Sequence, residues 1–174
     1  MVVVNLFDDD WDLDEEHGDF GGRDAWIGAR LGSELIGGTL YEVDSGKKLC
    51  PYHLHHANEE WLVVLRGRLT LRTPEGEREL EEGDVACFLR GSGGAHQVVN
   101  RSGAPARILM VSTKVLPDIV EYPDSSKVGA RDARGAPLFL GRPGPMLDEW
   151  GIPVARQSKG PKSSFHNELF WSRR

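Results

Sequence analysis

The sequence predicts an all-β protein, a closed antiparallel barrel or two-sheet roll with an irregular N-terminal leader and a proline-rich C-terminal tail. Three observations predict it. From residue 34 to 113 the chain falls into short runs rich in Val, Leu, Ile and Thr, separated by Gly, Pro or charged residues, which is the rhythm of many short strands. No helical periodicity competes with it there. The breaks include Arg66-Gly67-Arg68, Pro74-Glu75-Gly76 and Glu82-Gly83-Asp84, which supply glycine where a hairpin reverses. So many hairpins favour closure over an open sheet with two long edges.

The elements follow in order. Residues 1–33 form a leader and lead-in segment, and within it residues 8–19 (DDDWDLDEEHGD) hold eight acids and no Lys or Arg. That composition reads as a solvated or mobile segment. Strands are expected over 34–43, 48–55, 60–66, 68–73, 77–80, 84–89, 95–100 and 106–113, so the barrel spans 34–113. From 114 to 174 the chain is punctuated by Pro117, Pro123, Pro137, Pro143, Pro145, Pro153 and Pro161 and reads as an irregular tail. Its Trp150, Phe165, Phe170 and Trp171 are expected to pack on the barrel or on a neighbouring subunit, because large aromatic rings gain substantially from burial.

Length and composition exclude several classes. A chain of 174 residues fits one domain and leaves little room for two. No apolar run approaches the roughly 20 residues that cross a bilayer, and Met1-Val2-Val3-Val4 runs into acids rather than a basic flank and cleavage site. Cys50 and Cys87 alone are too few to staple a secreted scaffold of this size, so reduced thiols in a cytoplasm are expected. The net charge of -6 is local, since outside residues 8–19 the chain carries 21 basic against 19 acidic side chains. Nucleic acid is therefore not an expected partner, and neither is a membrane.

Four of the six histidines lie between residues 53 and 96. In His53-Leu54-His55-His56, strand alternation sends His53 and His55 to one face and His56 to the other, which makes a two-toothed imidazole chelate. Glu60 heads the apolar run EWLVVLR and, across a loop at 56–59, brings a carboxylate beside the imidazoles. His96 follows the glycine-rich 91–95 segment and supplies a fourth group from another strand. Three imidazoles and one carboxylate suit one divalent first-row metal (Mn, Fe, Ni, Zn or Co) and leave a position open for water or substrate.

These residues resemble the two motifs of the cupin superfamily. The first reads Gly46, His53, His55, Glu60 and Gly67, and the second Gly83, Leu89, Gly91, His96 and Asn100. The likeness covers 46–100 in its motifs and about 34–113 in its strand pattern. It implies a small antiparallel β-barrel (jelly roll) with a metal held inside by His53, His55, Glu60 and His96, and a homodimer by family habit. Leu89 stands where the family usually has Pro, the loop before His96 is about two residues longer, and the gap from Gly46 to His53 one residue longer. The family tolerates either spacing of the acid, so Glu59 is the alternative to Glu60. Register favours Glu60, because Leu62 and Val64 then share its inward face. The segment Tyr122-Pro123-Asp124-Ser125 also resembles one that follows the last barrel strand in small bacterial cupins of unassigned activity.

Other candidates have blander roles. Cys50 and Cys87 read as small apolar packing inside the barrel, His56 as a residue facing away from the metal, and Asn100 as the group fixing the turn after its strand. Tyr41, Tyr52, Arg90 and Gln97 are polar candidates for substrate contact, whereas His17 and His166 stand outside the motifs. The family spans dioxygenases, isomerases and epimerases, decarboxylases and non-enzymatic binding proteins, so fold and ligands do not name a reaction. Two function classes follow. One is a metal-dependent enzyme, of dioxygenase or isomerase type, acting on a small polar substrate that chelates the metal. The other is a protein that binds or senses a small ligand through its metal without turnover.

Overall fold

The computed structural model describes residues 1–145. Strands run in chain order as β1 (Leu13–His17), β2 (Phe20–Ala25), β3 (Ile36–Val43), β4 (Leu54–His55), β5 (Glu60–Arg66), β6 (Arg68–Thr73) and β7 (Gly76–Glu81). They continue as β8 (Val85–Phe88), β9 (Gln97–Val99), β10 (Ala106–Thr113), β11 (Asp118–Tyr122), β12 (Lys127–Arg131) and β13 (Pro137–Gly141). One helical turn, α1 (Ile27–Arg30), links β2 to β3. No described helix is long and apolar enough to cross a membrane.

Every pairing of these strands is antiparallel. One sheet has the order β1-β2-β3-β10-β5-β8, a second β13-β12-β11-β4 and a third β7-β6-β9. The sheets enclose a core of Val43, Leu62, Val64, Leu69, Leu71, Leu80, Phe88, Val98, Ala106 and Ile108. Alternation builds it: along β5, Leu62 and Val64 are buried while Trp61 is exposed. Each such fully buried aliphatic contributes about 1.5–3 kcal/mol. Gly67, between β5 and β6, has φ of 87°, and a Cβ there would stand 3.0 Å from that of Ala106; the hairpin needs glycine for both reasons.

The flanks are more regular than the sequence suggests. The expected leader contains the hairpin β1–β2, whose second strand pairs with β3. Its acids find cations far along the chain: Asp9 meets Arg107, Asp12 meets Arg30, Glu16 meets Lys47 and Asp19 meets Lys48. Hydrogen bonds from those cations hold the four carboxyls below their ordinary range. Arg107 is 1% exposed. Its Nε and Nη2 bond Glu42 Oε2 at 3.0 and 2.6 Å, its Nη1 reaches the Leu6 and Asp8 carbonyls, and Trp11 lies over its guanidinium at 4.8 Å. Val4, Leu6 and Trp11 then cover Ala25, Ile27, Leu40 and Leu109.

The segment read as an irregular tail likewise carries β11, β12 and β13. Prolines bracket these strands instead of preventing them. Pro117 precedes β11, Pro123 follows it, and Pro137 opens the edge strand β13, where a missing N–H costs little. The run 48–55 shortens to the two residues of β4 plus single bridges at Lys48 and His53; Pro51 has no N–H to extend the ladder. Trp150, Phe165, Phe170, Trp171 and His166 lie outside the described residues.

Candidate metal centre

His53 and His96 sit opposite one another in an isolated antiparallel bridge, exchanging N–H···O bonds of 3.1 and 2.8 Å. His55 is one strand residue further along β4, paired with Val120 of β11. Glu60 opens β5 and points inward with Leu62 and Val64. The loop before His96 is shaped by Gly94, where a Cβ would collide with the Leu89 carbonyl. The structure thus brings His53, His55, Glu60 and His96 together.

The side chains are oriented as well as collected. The Nδ1 of His53 lies 2.9 Å from the Pro51 carbonyl, that of His96 2.9 Å from the Gly94 carbonyl, and that of His55 2.6 Å from Asp118 Oδ2. Each Nδ1 therefore faces an acceptor and carries the ring proton, which leaves the Nε2 lone pair directed elsewhere. All three lone pairs are aimed at one oxygen. Glu60 Oε2 is 4.0 Å from His53 Nε2, 3.6 Å from His55 Nε2 and 3.5 Å from His96 Nε2. Ligand atoms of His53, Glu60 and His96 all lie within 4.8 Å of one another.

Glu60 Oε2 and His96 Nε2 are buried without a hydrogen-bond partner. Burial, joined by repulsion from neighbouring imidazoles, lowers His53 to about 4 and His96 to about 3. Both rings are therefore neutral near pH 7. Burial pushes the Glu60 carboxyl up against the pull of His55. Lone pairs converging on an orphaned carboxylate, with no donor among them, fit a cation: His53, Glu60 and His96 form a group that could hold a metal ion, with His55 Nε2 3.6 Å from Glu60 beside them.

The surroundings are now specific. Phe88 stacks on His96 with centroids 3.7 Å apart, and Tyr122 lies over His53 at 6.1 Å. A cavity of about 230 Å³ beside the four residues is bounded by Tyr41, Leu49, Cys50 and Met110. On the other side of His53 and His55 a hollow of about 180 Å³ is walled by Val120, Tyr122, Arg131, Phe139 and Leu140. Burial drives the Tyr41 phenol and the Cys50 thiol up to about 12.

The other sequence candidates scatter. Glu59 faces outward, where its Oε1 accepts from Trp61 Nε1 at 3.2 Å. His56 also faces away, bonded to Glu121 at 2.7 Å. Tyr52 packs with Leu54 and Ala95 beneath the Arg72 guanidinium instead of lining the site. Arg90 is exposed, and the Gln97 amide is spent on the Cys50 carbonyl. Asn100 bonds the Val43 and Ala104 carbonyls, and His17 bonds the exposed Glu15. Cys87, expected inside the barrel, is exposed on β8, because the inward positions of that strand go to Ala86 and Phe88.

Sequence reasoning missed Asp118 and Tyr122. Asp118 is 3% exposed. Burial pushes its carboxyl up, but hydrogen bonds from His55 and the Ala57 amide outweigh this and leave it below its ordinary range. Nothing in the local sequence marks it, since its partner lies 63 residues away.

Comparison with known proteins gives this geometry a lineage. Residues 39–112 match the family model described as the cupin domain. The structure is similar to a sugar phosphate isomerase of the cupin superfamily from Silicibacter pomeroyi, at 29% identity and a TM-score of 0.65 over 80% of this chain and 83% of that one. A candidate sugar phosphate isomerase from Acidithiobacillus ferrooxidans is similar at 27% identity and a TM-score of 0.64, over 79% and 82% of the two chains. The polyketide cyclase RemF from Streptomyces resistomycificus shares the fold, at 24% identity and a TM-score of 0.55, over 68% and 83%. No curated protein matches the sequence. The antiparallel barrel, the motif residues and the matched domain agree, and the chain carries a cupin domain over residues 39–112.

Proposed function

We propose that the protein is a metal-dependent enzyme that holds one divalent transition metal (Mn, Fe, Ni, Zn or Co) through His53, His55, Glu60 and His96. Its substrate is a small polar molecule that chelates the metal through a hydroxyl, carbonyl or carboxylate oxygen. The reading rests on one observation: three imidazole lone pairs face a single buried carboxylate oxygen that has no donor. Of the two reaction types, isomerisation is favoured over dioxygen chemistry by the likeness to the sugar phosphate isomerase from Silicibacter pomeroyi. When bound, the metal would supply Lewis acidity to the substrate oxygen. The chain's own contribution is orientation and an apolar wall. Acceptors on each Nδ1 fix the ring tautomers, and Leu49 and Met110 line the cavity with apolar side chains. Tyr41 and Cys50, protonated near pH 7, offer donors to a ligand oxygen.

The experiment is metal content per chain by elemental mass spectrometry, on untagged wild type, His53→Ala and Glu60→Ala. About one metal per wild-type chain, with loss in both variants, is the expected result. A folded wild type that refuses manganese, iron, cobalt, nickel and zinc would overturn the reading.

A second reading, a metal-anchored binding or sensing protein without turnover, is favoured by the cavity wall. Beyond the four candidate ligands, its described lining residues Tyr41, Leu49, Cys50 and Met110 include no base active near neutral pH. A sugar phosphate that raises the melting temperature and is recovered unchanged would select this reading. We also propose a cytoplasmic homodimer, consistent with both cysteines being free thiols; light scattering behind size exclusion and fractionation of cells test the two parts.

A further inference from the structure

The three imidazoles are not held alike. His53 and His96 each donate Nδ1–H to the backbone carbonyl two residues earlier, Pro51 and Gly94. His55 does not use that local solution. The carbonyl two residues before it belongs to His53 and already accepts the His96 amide at 2.8 Å. In its place stands Asp118 on β11, outside the 39–112 cupin match, with Oδ2 2.6 Å from His55 Nδ1. Its other oxygen, Oδ1, accepts the Ala57 amide at 3.0 Å, so both oxygens act as acceptors and the carboxylate cannot turn without losing one bond.

We propose that Asp118 is the positioning residue for His55, fixing the imidazole as the Nδ1–H tautomer and aiming its Nε2 at the Glu60 carboxylate. The inference rests on the metal reading above and deepens it. A carboxylate behind an imidazole also makes that ring a stronger donor to a cation than a backbone carbonyl does. The neighbouring acid Glu121 supplies an internal control: it bonds the adjacent imidazole, His56, through Nε2 at 2.7 Å on the exposed side, and His56 points away from the centre.

Asparagine at 118 separates positioning from simple docking of β11. Its side chain keeps the shape of Asp but has only one acceptor oxygen. If that oxygen takes the Ala57 amide, the NH2 faces His55 Nδ1 and drives the ring proton to Nε2, which closes the lone pair to a cation. The test measures Zn2+ affinity by chelator competition in full-length wild type, Asp118→Asn and Glu121→Gln. It is joined by 15N NMR of the His55 ring in metal-free wild type above the pH of imidazole titration. Expected are an affinity loss of about 10–100-fold in Asp118→Asn, wild-type affinity in Glu121→Gln, and an Nδ1–H tautomer for His55. Wild-type affinity in Asp118→Asn, or an equal loss in Glu121→Gln, would overturn the positioning role while leaving the metal reading intact. An Nε2–H tautomer in wild type overturns it however the variants fold. Wild type that takes up no metal overturns the metal reading and the positioning role together.

Discussion

Phe88 lies flat against the His96 imidazole, with ring centroids 3.7 Å apart and planes 8° from parallel. Phe88 is 5% exposed and His96 1%, so the aromatic ring is both core and backstop. Replacing Phe88 by Ala removes the stack and leaves a void. The expected cost is about 3–5 kcal/mol, read from urea unfolding of the metal-free protein, with Leu recovering part of it. Metal affinity should fall in the same order, Ala below Leu below wild type. An Ala variant of unchanged stability would show that the stack contributes nothing.

Glu60→Gln is expected to separate binding from stability. The carboxylate oxygen is buried among lone pairs with no donor. An amide NH2 in its place gives those imidazoles a proton to share, so the metal-free variant should be more stable than wild type by about 1–3 kcal/mol while metal content drops to background. Glu59→Gln, on the outer face beside Trp61, should keep its metal. Thermal melts paired with elemental analysis read both effects, and metal loss in the Glu59 variant alone would reverse the assignment of the acid.

Acid should weaken the metal-free protein before its surface carboxylates titrate. His53 and His96 are lowered to about 4 and about 3 from 6.5. The unfolded chain therefore binds protons that the folded one refuses, and their contribution is whole above pH 6.5 and lost as pH falls. Glu60 acts oppositely: burial raises its carboxyl, and the folded state takes a proton early. Two histidines act against one carboxyl, so stability should fall as the pH drops from 6.5 to 4.5. Melting temperatures of chelator-treated protein across that window measure it, and a flat profile would contradict the burial of the two rings.

Removing the Glu42 carboxylate should leave the Arg107 guanidinium with the exposed Asp9 as its remaining ion-pair partner among the described residues. Arg107 is buried, and Glu42 also pairs with Arg23. Glu42→Gln is expected to destabilise by about 1.5–3 kcal/mol and to expose the first dozen residues to protease, since Arg107 also holds the Leu6 and Asp8 carbonyls. Limited proteolysis followed by mass spectrometry reads the second effect. Uncut protein would mean that the apolar contacts of Val4, Leu6 and Trp11 suffice.

The two thiols should differ in rate. Cys87 is exposed, whereas Cys50 borders the cavity and burial drives its thiol to about 12. A chromogenic disulfide reagent should titrate one thiol per native chain promptly and the second only on unfolding. Cys87→Ser should abolish the prompt phase; its survival would assign that phase to Cys50.

How much of this was legible in the sequence depends on the distance over which each feature is decided. Strands β5, β6 and β10 announce themselves as short apolar runs bounded by glycine or charged turns, and the grouping of His53, His55, Glu60 and His96 follows from strand alternation at 53–56 and from the spacing of the two motifs. What the sequence withheld is settled by partners far away. The acids of residues 8–19 look solvated until Arg107, Arg30, Lys47 and Lys48 are in place. Strands β11 to β13 look irregular because Pro117, Pro123 and Pro137 are read as breakers, when they mark ends. Asp118 carries no local signature at all, and Cys87 was misplaced because a small apolar residue fits either face of a strand.

The β11–β13 sheet has a consequence for how such a protein diversifies. Tyr122, Arg131, Phe139 and Leu140 wall the hollow behind His53 and His55, and all of them lie beyond the 39–112 stretch that the family model matches. Tyr122 stacks on His53, but Arg131, Phe139 and Leu140 lie on β12 and β13, none of whose partner strands carries His53, His55, Glu60 or His96. Two chains with interchangeable barrels and different walls would then present different shapes and charges to the same four residues. The four candidate ligands and most of the wall beside them are thus carried on separate stretches of one chain.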